Sequence, residues 1–387
     1  MGIWYFVVAL LVVVMVHEAG HFFVAKAFDF KATKFFVGFG PTLWSTSRGE
    51  TEYGVKAFPL GGFVKIVGMN PYEEVAPEDA DRSYPAKPRW QRALVLLAGS
   101  ATHWLVVLAL LVPTFMFLGL PTREPSTELD SLQRGSPALT AGLRPGDDIV
   151  AVGGRSASSW TDIRNYIRQR PGQTATFTVE RGGETRTVEA TLGWALYDRA
   201  GRPVESAASR AGLRAARPGE EVVGFLGVAP KPAFQTLQFP AAVARAAERT
   251  WLYTTLSVRG IGQVFGQVFD GTLWNALAGE GPRGPDEGPI GLVGAAGIAD
   301  ESVDRGQYLA FIELIASFTI FVGLMNLLPL PPLDGGHLAV VAYEAVTKRS
   351  VDVRKLIPVA AAVISFFVLL FLAVLYLDLA RPIRVPL

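Results

Sequence analysis

One stretch constrains this chain more than any other. Residues 12–28, VVVMVHEAGHFFVAKAF, set His17, Glu18 and His21 inside an otherwise apolar run. Met1 to Val16 carries no charged side chain, and beyond His21 only Lys26 interrupts the apolar character before Phe28. About 20 such residues cross a bilayer as a helix, the conformation that satisfies its own backbone polar groups. Ionisable groups at that depth are costly, so a cluster of them marks a functional site.

In a helix His17 and His21 lie on one face about one turn, or ~6 Å, apart, a spacing that lets two imidazoles share a metal ion. Glu18 is beside them, placed to accept a proton from water without being a ligand. H-E-x-x-H is the zincin pattern, and zinc on three protein ligands keeps a fourth position for water. The reaction class is metal-assisted hydrolysis of a peptide bond. The chain has no cysteine, so the remaining ligand must be His, Asp or Glu.

Half of the 387 residues are hydrophobic, and 36 Lys and Arg balance 35 Asp and Glu. Such a composition fits a multi-span membrane protein with a soluble part, and it lacks the basic excess that nucleic-acid binding favours. Three further apolar stretches, Ala93 to Leu120, about Tyr308 to Leu330, and Leu356 to Leu379, bring the expected spans to four. The first is read as a retained span rather than a signal peptide, because no Lys or Arg precedes Lys26. Lys and Arg crowd the segments after the first and third spans, which the positive-inside rule assigns to the cytoplasm. Both chain ends and the long segment from Pro121 to about Gln307 then face outward.

The expected organisation follows from this. Residues 1–28 form the first transmembrane helix and 29–91 a cytoplasmic loop whose TEYGVKAFPLGGFVKIVG makes a re-entrant β-hairpin at the membrane face. The second span occupies 92–120. Residues 121–230 resemble a bacterial PDZ domain, on the pattern SPALTAGLRPGDDIVAVGG, with strands in DDIVAVGG, TATFTVER and ETRTVEATL and a helix from Trp160 to Arg170. Tyr197 to Glu221 reads as an insertion loop before a late strand in VVGFLGVA. An extracytoplasmic amphipathic helix (239–270) and a linker, GEGPRGPDEGP, fall within 231–306. The third span covers 307–333, the LDG segment and a cytoplasmic loop 334–355, and the fourth span with its tail 356–387. The fold class is thus a polytopic α-helical membrane protein of four spans, with a membrane-associated β-hairpin and one extracytoplasmic PDZ domain.

Two residues compete as third ligand. Asp334 follows three prolines in NLLPLPPLDGG, and His103 sits inside the second span. At ~1.5 Å per residue His103 lies about 16 Å from the Arg92 end and His17 about 18 Å from the Asp29 end, so depth does not separate them.

The HEAGH helix, VGFGP, FPLGGFVKI, the PDZ region, GPIGLVGAAG and NLLPLPPLDGG, in that order, resemble the site-2 protease family of intramembrane zinc metalloproteases, in the single-PDZ form of the bacterial regulator-of-sigma-E proteases. The resemblance implies one zinc per chain on His17, His21 and Asp334, Glu18 as catalytic base, and Asn326 near the substrate. It supports a re-entrant sheet, against which the substrate is expected to pair in extended form through Gly61, Gly62 and Val64. It also implies a bacterial inner or plasma membrane location, with the active site toward the cytoplasm. Expected substrates are single-span membrane proteins of the anti-sigma-factor kind, first trimmed by an upstream site-1 type protease, or signal-peptide remnants. One departure stands out. Where many members carry Gly-Pro-x-x-Asn, this chain reads Gly99-Ser100-Ala101-Thr102-His103, so His103 occupies the asparagine position. His337 is not a ligand by the family pattern. The rival classes are a non-catalytic PDZ membrane scaffold and a zinc transporter; neither has a use for a glutamate between the two histidines.

Overall fold

The computed structural model describes residues 1–70, 72–199, 203–207, 209–279 and 289–381, with the side chains of residues 59, 60 and 203 left undescribed. The described chain forms two compact units, Met1–Phe117 with Gln238–Leu387, and Leu118–Leu237.

The first unit begins with α1 (Gly2–Ala27). The helix ends where Asp29 takes a left-handed φ of 55° and Phe30 N–H donates to the Ala25 carbonyl at 2.9 Å. Two long strands follow, β1 (Ala32–Arg48) and β2 (Thr51–Ile66), then α2 (Arg89–Phe117). The strands bend, so that Phe35 lies opposite Val64 on one side and Tyr53 on the other. Glu50, in the turn between them, receives both terminal nitrogens of Arg82 (2.7 and 2.9 Å) and also bonds Lys26 of α1. The Arg82 guanidinium, aided by Lys26, holds the Glu50 carboxyl down at about 2. This ion cluster ties the sheet to the end of the first span.

The second unit opens with β3 (Leu120–Pro121), β4 (Leu129–Leu132), the short α3 (Pro137–Thr140), β5 (Asp148–Val152), β6 (Arg155–Ser156) and α4 (Trp160–Arg168). It continues through β7 (Thr174–Arg181), β8 (Glu184–Thr191), β9 (Gly193–Tyr197), β10 (Pro203–Ala207), β11 (Glu221–Phe225), β12 (Val228–Pro230) and β13 (Phe234–Gln235). A four-stranded sheet of order β6-β5-β7-β8 is packed by α4 around Ile149, Ile163, Phe177 and Leu192, all inaccessible to solvent. Period-two alternation in TATFTVER places Ala175, Phe177 and Val179 inward, which is why the strand was legible. Asp147, fully buried, accepts from Arg181 at 2.6 and 2.7 Å and from Arg144 N–H at 2.8 Å, and these partners hold its carboxyl below the ordinary range despite burial. The expected insertion loop is corrected here. Its described part contains β10, which pairs with β9 beside β11 in a three-stranded sheet, because Glu205 to Ala207 offer an extended backbone to Trp194–Leu196. Residues 200–202 and 208 lie outside the described residues.

The chain then re-enters the first unit with α5 (Phe239–Phe269), α6 (Thr272–Ala278), α7 (Leu292–Asp304), α8 (Tyr308–Asn326), α9 (Asp334–Thr347) and α10 (Ile357–Ala380). Much of the expected linker, 280–288, and the tail, 382–387, are outside the described residues. The amphipathic helix is no appendage: α5 packs on α2 and α8, with Trp104 Nε1 donating to Thr254 Oγ1 at 3.0 Å and Arg249 facing Glu313 at 3.6 Å. Its buried stripe, Ala242, Ala246, Thr250, Tyr253 and Ser257, keeps helical spacing and is small enough for close approach. Asp378 of α10 accepts from Gly291 and Gly294 N–H at 3.2 and 2.8 Å, supplying the first turn of α7 with the carboxylate its exposed amides favour. Among the described residues four helical segments, Gly2–Ala27, Arg89–Phe117, Tyr308–Asn326 and Val353–Ala380, are long and apolar enough to cross a membrane.

Candidate metal centre

Three elements far apart in sequence meet at the second and third turns from the end of α1. His17 and His21 face α2 and the start of α9, where Asp334 is the first helical residue. The prolines of LPLPPL end α8 and redirect the chain, while Gly335 lets it fold back tightly: a side-chain carbon there would lie 2.2 Å from the Leu327 carbonyl oxygen. Asp334 Oδ2 is 3.2 Å from His17 Nε2 and 3.2 Å from His21 Nε2, and the two Nε2 atoms are 3.1 Å apart.

The hydrogen bonds behind the rings say what this triangle is for. His21 Nδ1 is 2.8 Å from the Val95 carbonyl oxygen, which can only accept, so Nδ1 carries the proton and Nε2 presents a lone pair. His17 Nδ1 is 3.0 Å from His103 Nε2; when His17 donates, its Nε2 is bare as well. Two lone pairs and an anionic oxygen then converge at distances where they repel one another. Asp334 Oδ2 is also buried without a hydrogen-bond partner. A cation among the three resolves both difficulties. Edges of 3.1–3.2 Å suit zinc, since N and O ligands ~2.0–2.1 Å from a tetrahedral ion are about 3.3 Å apart. Among the described residues His17, His21 and Asp334 form the one group of three or more His, Asp or Glu with such spacing.

Glu18 faces the same space, and its Oε2 accepts from Val64 N–H at 3.1 Å. Together with Ile66, Met69 and Val95 these residues line a cavity of 110 Å³. The strand amide expected to be free for a substrate is therefore engaged by the carboxylate. Gly62 runs close to the same side chain, since a carbon added to it would be 3.2 Å from Glu18 Cγ, and Gly61 has a φ of 142° that side chains rarely adopt. Asn326, at the end of α8, is half-buried and is not part of the cavity lining. His337 lies one turn beyond Asp334, its Nδ1 3.4 Å from the Leu333 carbonyl, apart from the triangle.

His103 is 1% exposed and meets the far nitrogen of His17, so it stands behind the donor triangle and not at its vertex. Two residues of this arrangement escaped sequence reasoning. Gly99 lies under the His21 ring, where an added carbon would be 2.2 Å from Nε2, and the Val95 carbonyl sets that ring's tautomer. The run Gly99-Ser100-Ala101 is the available signal, because small residues in an apolar helix mark close packing.

Comparisons with known proteins agree with this chemistry. The model of Peptidase family M50 matches residues 5–372. Zinc metalloprotease Rip1 of Mycobacterium tuberculosis is 34% identical over 415 aligned positions, covering 99% of this chain and 98% of the relative. Metalloprotease MmpA of Caulobacter vibrioides is 33% identical over 371 positions, covering 88% and 85%. Among solved structures, the PDZ domain of an SdrC-like protein from Listeria monocytogenes aligns at 22% identity with 22% of this chain and 86% of its own, at a TM-score of 0.18, too slight a likeness to carry structural inference. A match along nearly the whole length to zinc metalloproteases in name, with four helices apolar enough to cross a membrane among the described residues, places the chain in Peptidase family M50, the site-2 proteases, as an intramembrane zinc metalloprotease.

Proposed function

We propose that His17, His21 and Asp334 hold one zinc ion and that Glu18 is the general base of peptide-bond hydrolysis. The observation that carries this reading is the buried, unpartnered Asp334 Oδ2 pointed between two imidazole lone pairs. When bound, zinc supplies Lewis acidity that polarises a peptide carbonyl and acidifies water to a pKa near ~7. The chain's own residues do the rest. Val64 N–H holds Glu18 Oε2, which leaves Oε1 to take the proton of the attacking water and return it to the departing amine nitrogen. The Val95 carbonyl and His103 keep the two imidazoles turned toward the ion.

The substrate lies extended along the edge of β2 facing away from β1, using the backbone of Gly61 and Gly62 and, with the Val64 N–H held by Glu18, the carbonyl of Val64, and Asn326 flanks the entry. What supports this is the register. Val64 is paired to Phe35 on one side while its N–H reaches Glu18 on the other, so this edge of the strand borders the catalytic cavity. Replacing Val64 by Pro removes that N–H from Glu18 as well as from the strand edge. Residues 121–230 act as an extracytoplasmic PDZ filter that admits single-span proteins of the anti-sigma-factor kind after a first cut, or signal-peptide remnants. The charge distribution of the loops supports an active site toward the cytoplasm, and the bacterial relatives support a bacterial plasma membrane.

Glu18→Gln is the test. It keeps size and the Val64 hydrogen bond but removes the base, so the purified variant retains about one zinc per chain while cleavage of a membrane substrate falls at least ~100-fold. Retained turnover assigns the base elsewhere.

A further inference from the structure

Another cavity, of 580 Å³, lies between α2 and α9 and is lined by other residues than the cavity beside His17, His21 and Asp334. Its walls are apolar, formed by Ala93, Leu338, Val341, Ala342 and Ala345, and its polar rim is Arg89 and Lys348, with Trp90 beside them. Trp90 is 56% exposed and stands edge-to-face with Phe28, 5.2 Å away at the end of α1. Tryptophan at the end of an apolar helix settles at headgroup depth, so this rim marks the boundary of the bilayer and the groove lies just inside it.

The charges around the rim are unequal in one respect. Arg92 is paired with Glu344 at 2.9 Å and Lys87 with Asp29 at 3.8 Å. Glu344, the acid of α9 nearest its end, is fully used, since its second oxygen accepts from Val351 N–H at 3.2 Å. Arg89 and Lys348 make no ion pair and no side-chain hydrogen bond among the described residues. Two cations without a direct ion pair among the described residues thus line an apolar groove at the membrane surface, Arg89 also bordering the neighbouring cavity that holds Glu73, Glu344 and Asp352.

We propose that this groove binds an anionic phospholipid, its acyl chain against Ala93, Leu338 and Ala342 and its phosphate between Arg89 and Lys348. The occupant follows from what the site offers. A trough facing hydrocarbon is filled by an acyl chain, and two cations at headgroup level favour a lipid of net negative charge over a zwitterionic one. The lipid would brace α9, the helix that begins with Asp334, against α2, which carries Val95 and His103.

Trp90 is the reporter. The full-length protein is placed in vesicles of equal parts phosphatidylcholine and phosphatidylglycerol, with bromine, a contact quencher, on the chains of one lipid or the other. The Trp90 share of the emission is the difference between wild type and Trp90→Phe. The expected result is roughly twofold or greater quenching by brominated phosphatidylglycerol relative to brominated phosphatidylcholine. Arg89→Gln with Lys348→Gln should abolish the preference, and so should Ala342→Phe, which fills the groove without touching charge. Lys348→Gln alone, beyond the helix end and unpaired, provides a variant expected to fold and to show a reduced preference. Equal quenching of the wild type by the two lipids, none by either, or a preference that survives the double substitution in protein of normal zinc content overturns the proposal.

Discussion

At the scale of single residues, the partition between Asp334 and His103 is decided by which imidazole nitrogen each one meets. Asp334 Oδ2 lies at the Nε2 atoms of both zinc-motif histidines, whereas His103 Nε2 lies at Nδ1 of His17. A ligand's anion and a positioning hydrogen bond fail differently. Asp334→Ala removes the one negative donor of the His17–His21–Asp334 triangle and leaves two neutral imidazoles there, so zinc content should fall well below one per chain. His103→Asn keeps a donor and an acceptor behind His17, so it should retain zinc to within about tenfold in affinity, as expected for an outer partner. Metal analysis of the two variants at equal folded yield checks both. The opposite pattern would make His103 the ligand.

Among the elements, the bent sheet depends on the turn between β1 and β2, which the Glu50 cluster fastens to α1 and to Arg82. The sign of its pH dependence follows from the depressed carboxyl. The folded protein holds Glu50 at about 2, below its ordinary value, so the stabilisation is present at neutral pH and is lost as pH falls toward that value. Glu50→Gln removes the charge at every pH. Tryptic cleavage at Arg48 in mild detergent at pH 7 should therefore be several-fold faster in the variant, in line with loss of charge-assisted hydrogen bonds of about 1.5–3 kcal/mol each before screening. Unchanged cleavage rates would show the turn to be held by the strands alone. The same element carries Val64, so a loosened turn should also slow proteolysis without altering zinc content.

For the whole molecule, the proposed zinc site draws its donors from α1 and α9, more than 300 residues apart, as the numbers 17 and 334 show. Its integrity therefore reports on the entire helical unit. A chelator that strips zinc should abolish cleavage, and stoichiometric zinc should restore it if the helices hold their positions without the ion. Recovery of less than about half the activity, with zinc rebound, would indicate that the metal also organises the fold. Intrinsic fluorescence before and after chelation separates the two outcomes.

Much was already written in the linear chain. Four predominantly apolar stretches of membrane length specify helices because an isolated segment in lipid must satisfy its own backbone. His17, Glu18 and His21 share one helix, so their geometry is local and a four-residue spacing is enough to read it. The strands of residues 148–191 were legible for the same reason, since alternation is a property of neighbours. Tertiary structure decided what local pattern cannot encode. Whether Asp334 or His103 completes the triangle depends on the crossing of α1 with α2 and on the tight turn into α9, both set by packing of side chains distant in sequence. The engagement of Val64 by Glu18, the strand hidden in the Ala- and Arg-rich stretch after Tyr197, and the docking of α5 on α2 and α8 belong to that second class. Each rests on a partner that periodicity does not name, because hydrogen bonds and close packing between elements are made in space and leave no fixed interval along the chain.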